Sequence, residues 1–233
     1  MIIYLLASIL VAAAAFVVRR RRTLYAVGAL FYAVQLALLA VLCCGAAPQS
    51  QAGGLFVFDA PGTLFYGLLT LVSIYAFHHS EAYLKASDIG HLRTYSGLMM
   101  LLTTAIAGAY FADNLAVTWI FLEATTLCSA GLIYYRRTAP ALEAAWKYLF
   151  VCSTGIAMAY LGILLLAGAS HGGSLGYAAV GAALPGANPL YLKIAFLLIL
   201  TGYSCKMELF PLYTVGVDAN FAAPAPASAL IST

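Results

Sequence analysis

The sequence contains very little charge. Only 8% of its 233 residues are Asp, Glu, Lys or Arg and 64% are hydrophobic, whereas a soluble globular chain has about 25% charged residues. This composition excludes an ordinary soluble domain and is typical of a polytopic helical membrane protein. The net charge of +3 does not indicate nucleic-acid binding, because the basic residues lie in loops between apolar segments.

The chain also lacks the residue patterns of a metal centre or a hydrolytic site. Its four histidines lie in loops or at the ends of apolar segments, which argues against metal binding inside the membrane. No base is placed beside a Ser or Thr, so an intramembrane enzyme is the weakest functional interpretation. The cysteines form no CxxC pair, and we interpret them as small buried residues: Cys43, Cys44, Cys128, Cys152 and Cys205.

Stretches of about 20 apolar residues predict an all-α, polytopic membrane helix bundle with about seven complete spans and a partial eighth. No internal repeat, linker or soluble domain separates them, so residues 1–233 are predicted to form a single membrane domain. The predicted spans are 2–18, 23–44, 60–79, 91–112, 115–135, 140–168 and 189–208, with an incomplete one from about 225.

The basic residues predict the orientation in the membrane. The loops after the first, third and fifth spans hold eight of the eleven: Arg19, Arg20, Arg21, Arg22, Lys85, Arg93, Arg136 and Arg137. The alternate loops hold none. Because basic loops stay in the cytoplasm, the N-terminus and the loop 169–188 are predicted to lie outside.

Glu123 is the ionisable residue nearest the centre of a predicted span. It lies about nine residues from either end of that span, where a carboxylate is costly unless it is protonated, paired or hydrated. Two interpretations remain open: a neutral or paired structural carboxyl, and a proton or ion site.

Lys147 is placed less deeply. It lies two turns after Pro140, and Glu143 precedes it by four residues on the same helix face. Either an interfacial ion pair with a snorkelling lysine or a functional amine accounts for it.

Lys206 lies about 13 residues beyond Lys193, or roughly 20 Å along a helix. Pro211 then interrupts the apolar segment, and a polar piece around Asp218 follows. A helix broken at membrane depth is costly unless the freed backbone lines a cavity or packs on protein, so the break indicates a functional site. The alternative is a helix that simply ends at the inner surface. Glu208 and Asp218 are the candidate partners of Lys206 on the far side of the break.

A buried carboxylate on one helix and amines on others are the parts of a proton relay, since the charge on each group alters the proton affinity of its neighbours. The candidate relay residues are Glu123, Lys147 and Lys206. The candidates for the helix break or a further relay step are Asp218, Glu208 and Pro211.

Three motifs together carry a family resemblance. They are Glu123 within WIFLEATTL, Lys147 within AAWKYLF with STG and LG beyond it, and Lys206 followed by Pro211, Asp218-Ala and APAPASAL. With them, residues 55–233 resemble the antiporter-like membrane subunits of respiratory complex I, of membrane-bound hydrogenases such as formate hydrogenlyase, and of Mrp-type antiporters. The motifs are similar to the family's buried fifth-helix glutamate, its sixth-helix lysine, and its broken seventh helix with the start of the eighth.

The chain departs from the family pattern after the break. The family usually has a histidine after the proline, Trp-Leu-Pro before Asp-Ala, and a second histidine soon after. Here Tyr213, the run Val215-Gly216-Val217 and Asn220 occupy those places, so the chain resembles hydrogenase-linked or divergent members more than complex I itself. It stops before the family's eighth-helix lysine. We therefore expect 1–112 to be the N-terminal helices, and 113–233 a truncated first proton-channel half of a longer subunit.

The resemblance implies a proton-translocating membrane subunit of a redox-driven complex, with the redox chemistry in other subunits. Glu123 and Lys206 would form the interacting pair, Lys147 would extend the relay, and the break would provide a hydrated path. No cofactor is expected on this chain. The expected partners are other membrane subunits, the lipid bilayer, and protons or Na⁺, in a bacterial or archaeal cytoplasmic membrane. The alternatives are an Mrp-type cation/proton antiporter subunit and a non-conducting assembly scaffold.

Overall fold

The protein, a computed structural model, is described for residues 1–45, 50–51, 54–84, 88–169, 174–210 and 212–232. Ten α-helices account for most of these described residues, so the all-α prediction is confirmed. The helices are α1 (Ile2–Val17), α2 (Arg21–Cys43), α3 (Ala60–Tyr83), α4 (Ile89–Phe111), α5 (Leu115–Ile133), α6 (Ala139–Ala169), α7 (Tyr177–Ala183), α8 (Pro189–Lys206), α9 (Tyr213–Ala222) and α10 (Ala225–Ile231). A small antiparallel ribbon pairs β1 (Ser50–Gln51) with β2 (Phe56–Val57).

Five helices of the described chain, α2 to α6, are long and apolar enough to cross a membrane. The protein is therefore a multi-pass membrane protein. The predicted first span is the 16-residue helix α1, and the predicted broken seventh corresponds to α8 and α9, of 18 and 10 residues. The count of about seven spans stays a prediction.

The helices that carry the candidate site begin at side-chain caps. Asn114 Oδ1 accepts a hydrogen bond from the Ala116 amide at 3.0 Å at the start of α5. Thr138 Oγ1 accepts from the Ala141 amide at 3.3 Å at the start of α6. Such caps satisfy amides that have no partner inside the helix, and they set where each helix begins along the chain.

Three local predictions are corrected by the structure. The third span was predicted to end at residue 79, whereas α3 continues to Tyr83, because the helix accommodates Ser80, whose hydroxyl donates to the Ala76 carbonyl oxygen at 2.6 Å. The predicted outer loop contains the short helix α7. Cys43 and Cys44 are exposed and not buried, since they end α2 on the outer surface of this chain.

A buried polar cluster joins the first three helices. Gln35 of α2 is fully buried, and its Oε1 accepts from the hydroxyls of Tyr4 at 2.5 Å and Tyr66 at 2.8 Å. The Tyr66 hydroxyl also lies 3.0 Å from the Gln35 carbonyl oxygen. Buried polar groups that are satisfied in this way define how the helices pack, so the cluster sets the register of α1, α2 and α3.

The helices α6 and α8 pack almost backbone to backbone. A Cβ added to Gly155 would lie 2.8 Å from the Gly202 carbonyl oxygen, and one added to Gly162 would lie 2.8 Å from the Ala195 carbonyl oxygen. Small residues at such a contact allow close approach of membrane helices. This interface places Lys206, the last residue of α8, against α5 and α6.

Candidate functional site

Lys206 lies where three helices meet. Its ammonium Nζ donates to Thr126 Oγ1 of α5 at 3.2 Å and to the Tyr148 hydroxyl of α6 at 3.0 Å. Nζ also lies 5.2 Å from the centre of the Tyr148 ring, within the range of a cation–π interaction. Both hydrogen-bond acceptors are neutral hydroxyls, so no carboxylate in the described part of the chain directly neutralises this amine.

Glu123 lies one turn before Thr126 on the same helix. Its Oε1 accepts a hydrogen bond from Ser153 Oγ of α6 at 2.8 Å. Its Oε2 is buried and has no hydrogen-bond partner among the described residues. A buried carboxylate oxygen without a donor is costly, so the arrangement is one in which binding a proton or a cation lowers the free energy of the site.

The expected interacting pair of Glu123 and Lys206 is not in direct ionic contact. Among the described residues the ion pairs within 4.0 Å do not include it. The two groups do interact electrostatically through space, and Glu208 acts on Lys206 in the same way. Thr126 lies between the two charged groups. It accepts a hydrogen bond from Lys206 and follows Glu123 by three residues, about 4.5 Å along the helix axis.

Lys147 occupies a separate ionic cluster. Its Nζ lies 2.7 Å from Glu143 Oε1 and 3.4 Å from Asp218 Oδ2, with about half of each Lys147 and Asp218 side chain exposed (50% and 48%). The predicted Glu143–Lys147 pair four residues apart is confirmed. Asp218, a candidate partner of Lys206, contacts Lys147 instead, because α9 packs on the first half of α6, where Lys147 lies.

This ionic cluster lines a cleft between α6 and α9 with a volume of about 490 Å³. Arg136 lies at its edge, on the side of the bundle that the basic loops define. The cleft therefore connects Lys147 to the basic end of the bundle.

The break between α8 and α9 is confirmed. α8 ends at Lys206 and α9 begins at Tyr213. Glu208 has φ of 53°, a left-handed conformation that is uncommon outside glycine. Its carboxylate lies against Gly216, where an added Cβ would collide with it. Pro211, predicted as the breaking residue, lies outside the described residues.

Three uncharged residues that the sequence interpretation missed complete the site: Thr126, Tyr148 and Ser153. Their signal was helical spacing. Thr126 follows Glu123 by three residues and therefore lies on the same helix face. Tyr148 is rotated about 100° around the helix from Lys147, toward the interior of the bundle. Hydroxyls are frequent in this chain, so spacing alone does not single out the ones that reach a charge.

The described residues contain no group of three or more His, Cys, Asp or Glu side chains that could hold a metal ion. The charged groups of the site are four carboxylates and two amines: Glu123, Glu143, Glu208, Asp218, Lys147 and Lys206. The chemistry available to these side chains is therefore the binding and release of protons or small cations.

This fold and site define a class: a multi-pass membrane bundle whose interrupted helix ends in a lysine, and that lysine contacts a helix with a half-buried glutamate. Residues 112–233 match the family described as NADH:quinone oxidoreductase/Mrp antiporter, transmembrane, and the chain belongs to that family. The match includes α5 to α10, and with them all the candidate residues. The resemblance stated from the three motifs is confirmed.

Two curated relatives illustrate the similarity. The chain is 30% identical over 196 residues to a hydrogenase-4 component F homolog of Methylacidiphilum infernorum, covering 79% of this chain and 41% of the relative. It is 28% identical over 206 residues to NADH-quinone oxidoreductase subunit N of Ectopseudomonas mendocina, covering 86% and 41%. The chain thus spans about two fifths of the length of these relatives.

Solved structures share the fold. One is a chain of the membrane-bound sulfane sulfur reductase, an archaeal respiratory membrane complex, with a TM-score of 0.80 and 21% identity over 97% of this chain and 47% of that chain. Another belongs to the Mrp complex from a Dietzia species, with a TM-score of 0.82 and 20% identity over 98% and 44%. At this level of identity, the likeness shows the fold alone.

Proposed function

We propose that the protein is a membrane subunit of a redox-driven complex and moves protons through a relay that includes Glu123, Lys206 and Lys147. The single observation that carries the proposal is the placement of Lys206. Its amine lies at a helix break and donates to two hydroxyls, one of them from Thr126. Glu123, one turn before Thr126 on α5, keeps a buried carboxylate oxygen without a hydrogen-bond partner in the described part of the chain. An intramembrane amine and carboxylate so arranged are typical of proton pathways.

The relay depends on the separation of charges. When the Lys206 ammonium approaches Glu123, each charge stabilises the other, and when they part, the lysine releases its proton more readily. In this proposal the hydroxyl-bound position of Lys206 corresponds to the separated arrangement. Lys147 extends the relay toward the basic end of the bundle, with Glu143 and Asp218 as its charge partners and Glu208 close to the break.

The relatives named for hydrogenase and for NADH-quinone oxidoreductase support a place in a redox complex, whose electron transfer would occur in other subunits. We propose that α1 and the α8–α9 pair also cross the membrane, which gives about seven spans and α10 as the start of an eighth. With its basic loops inside, the N-terminus then faces the outside of a bacterial or archaeal cytoplasmic membrane.

The proposal is tested by measuring proton uptake and redox turnover together in inverted membrane vesicles that contain the native complex. We expect Glu123→Gln and Lys206→Ala to lower both rates by about tenfold or more, since an intramembrane charge of the relay is removed, while the complex stays assembled on native gels. Lys193→Ala is the matched control. It removes an exposed lysine from the start of the same helix, and we expect no change.

Normal pumping and turnover in both variants would contradict the proposal and favour an assembly scaffold. Proton exchange driven by Na⁺ or K⁺ gradients and independent of redox turnover would instead favour an Mrp-type antiporter subunit.

A further inference from the structure

Tyr148 is an uncharged residue of the site whose hydroxyl binds Lys206. It is buried, with 3% of its surface exposed, and it belongs to the small second core in which α6 contacts α9. Its hydroxyl accepts from Lys206 at 3.0 Å, and the side chains of Ser129 and Cys152 lie within hydrogen-bonding reach of it. One side chain of α6 thus touches groups on α5, α6 and α8.

We propose that Tyr148 is a positioning residue for Lys206, whose hydroxyl binds the amine in both of its protonation states and so defines the position in which the lysine is separated from Glu123. This inference rests on the proposed function of Lys206 in the relay. It assigns to an uncharged residue the control of when the lysine and the glutamate interact.

The argument follows from the chemistry of a hydroxyl. A hydroxyl both donates and accepts, whereas an ionised carboxylate only accepts. When Lys206 is charged, the Tyr148 oxygen accepts one of its protons. When Lys206 is neutral, rotation of the Tyr148 O–H lets it donate to the nitrogen lone pair. A carboxylate in the same place would bind the charged form far more strongly and hold the proton there.

Thr126 is less able to make this exchange. Its Oγ1 lies 3.2 Å from the Leu122 carbonyl oxygen, which accepts its proton and leaves Oγ1 as an acceptor for Lys206. Tyr148 has hydroxyl and thiol neighbours that can also change roles. Of the two hydroxyls that hold Lys206, the one from α6 is therefore the adaptable one.

Tyr148→Phe leaves every other residue near Lys206 unchanged. The groups that act on Lys206 through space are Glu123 and Cys128 of α5, Cys152 of α6, and Glu208 beyond α8. From α9, Asp218 faces Lys147. A change in pH dependence in Tyr148→Phe thus reports the lost hydroxyl, because the ring and its packing are kept.

The test compares the pH profiles of coupled turnover in vesicles that contain the native complex with Tyr148→Phe and with Tyr160→Phe. Loss of the hydroxyl removes an acceptor from the ammonium, and a hydrogen bond to a charged group is stronger than one to a neutral group. We expect the alkaline limb of the Tyr148→Phe profile to move about one unit toward lower pH, a tenfold change in proton binding. Tyr160 lies on the same helix with its ring 4.4 Å from that of Trp119, a contact that phenylalanine keeps, so its profile should not change.

An unchanged profile in assembled Tyr148→Phe, with turnover lost in Lys206→Ala, overturns the inference and leaves the proposed function standing. Normal pumping in Lys206→Ala overturns the proposed function itself. If Tyr148→Phe does not assemble, Tyr148→Met is measured in its place, since it also removes the hydroxyl and keeps an apolar side chain at this buried position, and it should shift the alkaline limb in the same direction. An unchanged profile there also overturns the inference.

Discussion

The Glu123 carboxylate depends on a single neighbouring residue. Ser153 donates to Oε1 at 2.8 Å, while Oε2 has no partner among the described residues. A carboxylate in an apolar environment keeps its charge only if donors or cations compensate for lost water. Ser153 is therefore the residue through which α6 affects the charge on α5.

We expect Ser153→Ala to lower proton uptake per vesicle by about tenfold, because a hydrogen bond to a charged group stabilises it by about 1.5–3 kcal/mol. The measurement is the initial rate of proton uptake in vesicles with the assembled complex. Thr154→Ala is the matched control, since it removes a hydroxyl from the exposed face of the same helix. A rate equal to wild type in Ser153→Ala would show that Glu123 does not need this donor.

The pair α6 and α8 is the element that positions Lys206. An added Cβ at Gly202 would lie 2.6 Å from the Ala159 backbone nitrogen and would also collide with the Gly155 carbonyl oxygen. Backbone atoms cannot move aside as the end of a flexible side chain does. The depth and rotation of the α8 end, and therefore of its lysine, depend on this contact.

We expect Gly202→Ala to separate α6 from α8 and to lower the free energy of unfolding by about 1–3 kcal/mol, the usual cost of overpacking. The change is measured as a lower midpoint of thermal unfolding in detergent. Gly181→Ala in α7 is the matched control, since open space surrounds that glycine and alanine favours a helix by up to about 1 kcal/mol. Equal midpoints for the two variants would contradict the close contact.

Across the whole molecule, two packing units are visible. The larger core is formed mainly by α1 to α4, and the smaller one joins α6 to α9. The ionisable site lies between the first unit and the helix break, on α5, α6 and α8. Gln35 and its two tyrosines stabilise the first unit at a distance from that site, which allows its stability to be tested separately from transport.

We expect Gln35→Leu to lower the free energy of unfolding by about 1–3 kcal/mol, because the buried Tyr4 hydroxyl loses its acceptor. The double variant Gln35→Leu with Tyr4→Phe should recover much of this loss, since both polar partners are then replaced by apolar groups. Unfolding midpoints of the single and double variants in detergent measure the difference. A double variant no more stable than Gln35→Leu would show that the hydrogen bond is not the source of the effect.

Much of the helical architecture follows from the sequence, because hydropathy and caps are local properties. The apolar stretches predicted α2 to α6. The broken segment after Lys206 and the family were also readable, since prolines and polar residues in an apolar segment act over a few residues. The exposure of Cys43 and Cys44 could not be predicted from the sequence, because hydropathy does not distinguish a buried core from a lipid-facing surface.

The contacts of the site depend on how separate helices are rotated about their axes and shifted along them relative to each other. Lys206 meets Thr126 across 80 residues and Tyr148 across 58, and Lys147 meets Asp218 across 71. The sequence established the helices, the break, the family and the three buried or half-buried charges, all of which come from composition and short motifs. The hydroxyl partners of Lys206 came from the tertiary structure, because glycine contacts between α6 and α8 set the depth at which those side chains meet. The pairing of Asp218 with Lys147 also came from the tertiary structure, because it requires α9 to pack on α6.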